Sequence, residues 1–210
     1  YILSDTQNIE KWVKEETAFF ELSKKLNAFG KIFYRKRKMN LNKKSGNIAD
    51  FCRRWGKKYK YMIILDADSL LTGKCMVQLT KLMEENPSTG IIQTSPQIIH
   101  AKTFFQRLMQ FSNSVHSIIF SVGANYWQLN SSPFWGHNAI IRLKPFMDNC
   151  GLPALPKFGA VGGRILSHDT IEAALIRKAG YSVWFAYDLQ GSYEESPPNP
   201  IDSLKRDQRW

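Results

Sequence analysis

The apolar run Tyr61-Met62-Ile63-Ile64-Leu65 stops abruptly in Asp66-Ala67-Asp68, and no other stretch constrains the fold as much. Five apolar residues bounded by Lys60 and by two acids read as a buried strand. Buried strands belong to sheets covered on both faces, built from alternating strands and helices. The chain supplies that alternation. Tyr1-Ile2-Leu3 reads as the end of a strand, and 8–28 as a helix with Ile9, Trp12, Val13, Phe19, Phe20 and Leu26 on one stripe. Gly30 ends that helix, and 31–34 is the next expected strand. A basic loop and a short helix over 47–55 lead into strand 61–65, followed by a helix over 75–85 and a strand over 90–93. The expected architecture is α/β, a mostly parallel sheet with helices on both faces.

The second half is organised differently. Residues 103–122 form a long helical pattern with Phe104, Phe105, Leu108, Phe111, Val115, Ile118 and Ile119 apolar. A core position is the simpler expectation for it, a membrane interface the alternative. A strand follows over 138–143, and the Gly- and Pro-rich stretch 151–163 reads as a mobile loop. Ser167 offers an N-cap for a helix over 169–179 ended by Gly180, and 183–186 is another buried strand. Pro197, Pro198 and Pro200 then open a polar, basic tail.

With 210 residues the chain fits one domain that can bury a proper core. Its longest apolar stretches are too short to cross a bilayer, and no charged-then-apolar leader opens it. Cys52, Cys75 and Cys150 match no zinc or redox spacing, which suggests reduced cytosolic thiols. The net charge of +11 is local: residues 31–60 carry 12 of the 29 basic residues against one of the 18 acids, Asp50, and the remainder balances. Such a segment suits phosphorylated ligands, anionic lipid headgroups or nucleic acid, or is a solvated loop.

In an open α/β sheet, ligands bind at the carboxyl ends of the strands. Two carboxylates there, Asp66 and Asp68, are hard oxygen ligands suited to Mg²⁺ or Mn²⁺ and thereby to a diphosphate; a polar turn is the plain alternative. Asp5 ends the first strand at the same kind of edge and could accept hydrogen bonds from a nucleobase or ribose, or simply form a turn. Lys44-Ser45-Gly46-Asn47 opens a helix with charge and backbone N–H groups but lacks P-loop spacing. Asp169 lies in the first turn of its helix, either as an acid that suits the macrodipole or as a catalytic base. Trp135-Gly136-His137-Asn138 clusters donors with an aromatic face ahead of a strand, and Gln208-Arg209-Trp210 pairs a guanidinium with an indole.

In this order the motifs resemble the processive family-2 glycosyltransferases, the group that includes cellulose and hyaluronan synthases. The resemblance spans nearly the whole chain and is nearest to the branch that builds the backbone of osmoregulated periplasmic glucans. It rests on 44–55, on Leu65-Asp66-Ala67-Asp68-Ser69, on 135–142, on Leu166-Ser167-His168-Asp169, and on Ala186-Tyr187-Asp188-Leu189 through Arg209-Trp210. It implies a GT-A, Rossmann-like fold over 1–210, with 1–100 as nucleotide-binding half and 101–210 as acceptor-binding half. It also implies a domain truncated at both ends, with its first strand missing, that serves a membrane enzyme at the cytoplasmic leaflet of the bacterial inner membrane.

The family's roles carry over residue by residue. Asp5 would contact uridine, and Lys44 and Arg209 the diphosphate. Asp66 and Asp68 would hold the donor and the divalent ion, and Asp169 would be the general base. Trp135, Gly136, His137, His168 and Trp210 would bind the acceptor sugar. The implied donor is UDP-glucose and the implied acceptor a β-glucan, with no nucleic acid involved. Two departures, Ser167-His168-Asp169 for Thr-Glu-Asp and Arg206 in place of the motif glutamine, weaken the transfer of acceptor-site detail. Transfer of one sugar to a polyprenyl phosphate is the catalytic alternative, and a basic nucleic-acid-binding α/β domain the non-catalytic one.

Overall fold

The computed structural model describes residues 1–152, 155–158, 161–163 and 168–208, which pack as two compact units, Tyr1–Trp55 and Gly56–Trp210. The first unit holds β1 (Ile2–Ser4), α1 (Ile9–Lys25), β2 (Tyr34–Lys36) and α2 (Lys43–Trp55). β1 and β2 form a two-stranded parallel sheet. The Asn8 side chain caps α1 by accepting the Lys11 N–H at 3.0 Å. β2 starts later than expected because the chain makes a further turn after α1, with the Lys31 and Ile32 N–H groups bonded to Ala28. The apolar stripe of α1 is not a core face: Ile9, Val13, Phe20 and Leu26 are exposed, and Ser23 is the helix's buried residue. This unit instead packs around Tyr1, stacked on Phe33 at 4.9 Å and on Trp55 at 5.1 Å, with Phe51 edge-on.

The second unit contains a 3-10 turn (Gly56–Lys58), β3 (Tyr61–Ile64), β4 (Leu70–Leu71), α3 (Gly73–Glu85), β5 (Thr89–Thr94), β6 (Gln97–Ile99) and α4 (Phe104–Gln128). It continues through β7 (Ala139–Arg142), α5 (Leu143–Asn149), β8 (Leu155–Phe158), β9 (Val161–Gly163), α6 (His168–Lys178), β10 (Ser182–Ala186), β11 (Ser192–Glu195) and α7 (Pro200–Asp207). Its main sheet has the order β10-β5-β7-β3. β10 and β5 are parallel, while β7 runs antiparallel to both β5 and β3. The α/β expectation holds, but the sheet is mixed. After β5 the chain re-enters the sheet at the edge it had just left, so β7 needs no crossover and points the other way.

The register explains the core. Ile63, Ile140, Ile92 and Trp184 lie side by side across the sheet, against Cys75, Leu79 and Met83 of α3. The alternate residues Ile91, Ile141 and Val183 are fully buried as well, so both faces of the sheet are covered. Burying each of these aliphatic side chains contributes about 1.5–3 kcal/mol.

Three further stretches differ from the sequence reading. Within 151–163, β8 and β9 pair antiparallel where a mobile loop was expected; the Ser167 cap lies outside the described residues. The tail forms α7, because Asn199 caps it through the Asp202 N–H at 2.9 Å and Pro200 sits at its start. α4 is not a core helix. It holds the molecule by its polar side, with Gln106 Nε2 donating to the Ser196 carbonyl at 2.8 Å and Gln110 Nε2 to Ile98 at 2.7 Å. Phe104, Phe111, Ile118, Ile119 and Trp127 face outward, each more than 60% exposed.

Candidate active site

Strand register brings the candidate residues of the second unit to one edge. Ile64 ends β3 opposite Ala139, Ala139 also faces Gln93, and Ala186 faces Thr94. The carboxyl ends of β3, β5 and β10 therefore share a rim with the start of β7. Asp66 and Asp68 follow β3 in an exposed turn closed by the Ser69 N–H on the Asp66 carbonyl at 3.1 Å. Trp135-Gly136-His137-Asn138 leads into β7 at the same rim. α6 packs along β5 and β10 and feeds β10, so its first turn, with Asp169, begins there too.

A fully buried glutamine sets the 135–138 turn. Gln93 Oε1 accepts the Trp135 N–H at 3.0 Å, and its Nε2 donates to the His137 carbonyl at 3.0 Å and to Thr94 at 2.9 Å. The two bonds straddle Gly136 and clamp it from both sides. Asn138, also fully buried and at φ +49°, donates to Ser192 Oγ at 2.9 Å and to the Tyr193 carbonyl at 3.1 Å. Thr94 Oγ1 bonds the Asn138 carbonyl at 2.6 Å and meets Ser192 Oγ at 2.7 Å. Buried polar groups joined this completely fix one conformation, because leaving any of them unpaired costs about 1–3 kcal/mol.

The clamp brings Gly136 against Asp169. A Cβ added at Gly136 would lie 2.7 Å from Asp169 Oδ2, and Gly136 sits at φ +86°. Asp169 is 2% exposed, and its Oδ1 accepts the Thr170 N–H at 3.0 Å. Its other oxygen faces the glycine. His168 turns along α6, with Nδ1 3.1 Å from Glu172 Oε1. Trp135 meets Phe185 of β10 edge-on at 5.1 Å.

His137 links this half of the rim to the paired acids. Its Nδ1 meets Asn138 Oδ1 at 3.0 Å, and its Nε2 lies 3.8 Å from Glu194 Oε2. β11 pairs antiparallel with β4, Ser192 with Leu71 and Tyr193 with Leu70, so the register carries Glu194 level with Ser69, beside Asp68. Burial pushes the Glu194 carboxyl above the usual range, against the pull of His137, and the charges of Asp68 and Asp66 push it the same way. Among the described residues no three His, Cys, Asp or Glu side chains converge to hold an ion. An ion on Asp66 and Asp68 would complete its shell with phosphate oxygens and water, as Mg²⁺ commonly does.

Two other expected donor residues, Asp5 and Lys44, belong to the first unit. Asp5 forms a bidentate pair with Arg37, whose Nε is 2.7 Å from Oδ1. Lys44 lies in the first turn of α2, and Gly46 beside it packs so closely on the Leu41 carbonyl that a Cβ would not fit. The Asn47 side chain accepts from Arg35 at 2.9 Å. That glycine therefore has a packing reason for its place. Arg209 and Trp210 lie outside the described residues.

Sequence reading missed Gln93, Thr94, Ser192 and Glu194. A polar pair ending the apolar run Gly90-Ile91-Ile92 was the available signal for the first two; Ser192 and Glu194 are recruited by a strand pairing that carries no local mark.

A mixed sheet whose carboxyl rim gathers an Asp-x-Asp pair and a buried helix-start aspartate defines a class. Residues 61–210 match the model of the glycosyl transferase family group 2, and the chain belongs to that family. Over all 210 residues it is 53% identical to the glucans biosynthesis glucosyltransferase H of Pseudomonas entomophila strain L48 and of Pseudomonas aeruginosa strain LESB58. It is 52% identical to the protein of the same name in Pseudomonas putida strain W619. It spans about a quarter of their length, 25% of the first and 24% of the other two.

Proposed function

We propose that this chain carries the catalytic centre of an inverting glucosyltransferase that moves glucose from UDP-glucose onto a growing β-glucan, the backbone of osmoregulated periplasmic glucans. The observation that carries this reading is the shared rim: Asp169, clamped against Gly136, reaches the Asp66–Asp68 turn through His137 and Glu194. The names borne by the relatives support the choice of glucose and glucan.

In this reading Asp66 and Asp68 hold Mg²⁺ or Mn²⁺, which when bound would offset charge growing on the departing diphosphate. The family resemblance would give Lys44 and Arg209 to the diphosphate and Asp5 to the uracil; within its own unit Asp5 is paired with Arg37. Trp135, His137 and Trp210 seat the acceptor sugar. Asp169 Oδ2 takes the proton of the attacking hydroxyl, which approaches the anomeric carbon opposite the diphosphate. In-line attack on an α-linked donor leaves a β-linkage.

Titration of UDP into the protein by calorimetry tests the donor site. Binding should require a divalent ion and weaken at least about tenfold, roughly 1.4 kcal/mol, in Asp68→Ala. Equal affinity in chelator would remove the metal from this account.

We also propose that the full-length protein works at the cytoplasmic leaflet of the inner membrane. Among the described residues no helix is long and apolar enough to span a membrane. The support is the outward apolar side of α4, which carries Phe, Ile and Trp side chains and no acid. The chain should float with vesicles containing anionic phospholipid, and Ile118→Glu/Ile119→Glu should abolish flotation. Unchanged flotation of that variant would assign the lipid contact elsewhere.

A further inference from the structure

We infer that Glu172 is a positioning residue for sugar transfer, acting through His168, an inference that rests on the glucosyltransferase reading above. Glu172 stands on α6 three residues after Asp169 and is 3% exposed. Its surroundings are apolar. Ala173 and Ile176 of the same helix are buried, and the Cys150 thiol, at the end of α5, donates to the Glu172 backbone carbonyl at 3.6 Å. Burial pushes that thiol up to about 12, with the Glu172 charge adding to the effect.

A carboxylate in such a place costs more than an apolar or amide side chain of the same size. Glutamate and histidine four residues apart can support a helix from its surface, yet this pair has left the surface: the side chains of His168 and Glu172 are 15% and 4% exposed. Stability alone would favour leucine or methionine at 172.

What the acid supplies is a fixed histidine. His168 Nδ1 lies 3.1 Å from Glu172 Oε1, and a carboxylate only accepts, so the bond requires the ring proton on Nδ1. With Nδ1 tied down, the plane of the ring and the place of Nε2 are set as well. His168 directly precedes Asp169 in the first turn of α6, and Asp169 Oδ2 faces Gly136. A ring free to rotate would offer either nitrogen beside the base; the Glu172 bond leaves one arrangement for the incoming sugar to meet.

The experiment is a double-variant cycle on the full-length enzyme, following transfer from labelled UDP-glucose beside a UDP titration and a thermal melt. Glu172→Met keeps the length of the side chain and removes the acceptor oxygen. It should lower kcat for transfer at least about tenfold while UDP affinity stays within about twofold. The melting temperature should hold or rise, since a buried charge is gone. Glu172→Gln, whose oxygen can still accept from Nδ1, should recover transfer to within about threefold of the unmodified enzyme. In a His168→Ala background, Glu172→Met should cost no more than about a further twofold. Unmodified transfer by Glu172→Met, equal loss in the glutamine variant, or losses that multiply in the double variant would overturn the role. Should Glu172→Met fail to bind UDP, Glu172→Ala decides by the same cycle. An unmodified enzyme that takes no glucose from UDP-glucose would instead count against the glucosyltransferase reading itself.

Discussion

Asp169→Asn is expected to lower glucosyl transfer by about 10²–10⁴-fold, the usual contribution of a general base, while UDP binding stays within about twofold. The amide keeps the shape of the carboxylate, and its oxygen can still accept the Thr170 N–H now bound at 3.0 Å. What it loses is the ability to take a proton. Asp169 also lies in the first turn of α6, where a negative charge favours the helix by about 0.3–1 kcal/mol. That alternative role predicts a small fall in stability and no specific loss of transfer. Initial rates with labelled donor, set beside a UDP titration and a thermal melt, separate the two. A variant that no longer binds UDP would show Asp169 serving the donor instead.

How much of this could be read without coordinates follows from the range of the interactions. Strands 61–65, 90–93 and 183–186 were legible because an apolar run bounded by polar residues is a local signal. The direction of β7 was not, since antiparallel entry is decided by where the chain comes from. The outward side of α4 was missed for a related reason. Its Phe and Ile spacing fits a core helix equally well, and only Gln106 and Gln110, bonded to Ser196 and Ile98, show which side faces the body. At the site, Asp66, Asp68, Gly136, His137 and Asp169 were named from their local settings and family resemblance, and the sheet register places them on one rim. His168 stands in the same first turn of α6 as Asp169, with Nδ1 3.1 Å from Glu172 Oε1. Glu194 escaped notice because its place beside Asp68 depends on β11 pairing with β4, more than a hundred residues away in sequence.

Gly136→Ala should reduce transfer nearly as much as loss of the base, by about 10²-fold or more, although it removes no functional group. The added methyl would lie 2.7 Å from Asp169 Oδ2, inside contact distance, so something must move. The turn cannot retreat easily, because Gln93 holds it through the Trp135 N–H and the His137 carbonyl, both at 3.0 Å. The movable group is the Asp169 side chain, which would swing off the glycine and away from the acceptor hydroxyl. The φ of +86° adds its own strain for alanine, about 1–2 kcal/mol. A fall in stability of that size with UDP affinity unchanged is therefore expected alongside the kinetic loss. The decisive measurement is the double variant. If Gly136 acts through Asp169, then Gly136→Ala added to Asp169→Asn should slow transfer little further, because the carboxylate it displaces is already gone. Multiplying losses would instead place the glycine's role in seating the acceptor, independent of the base.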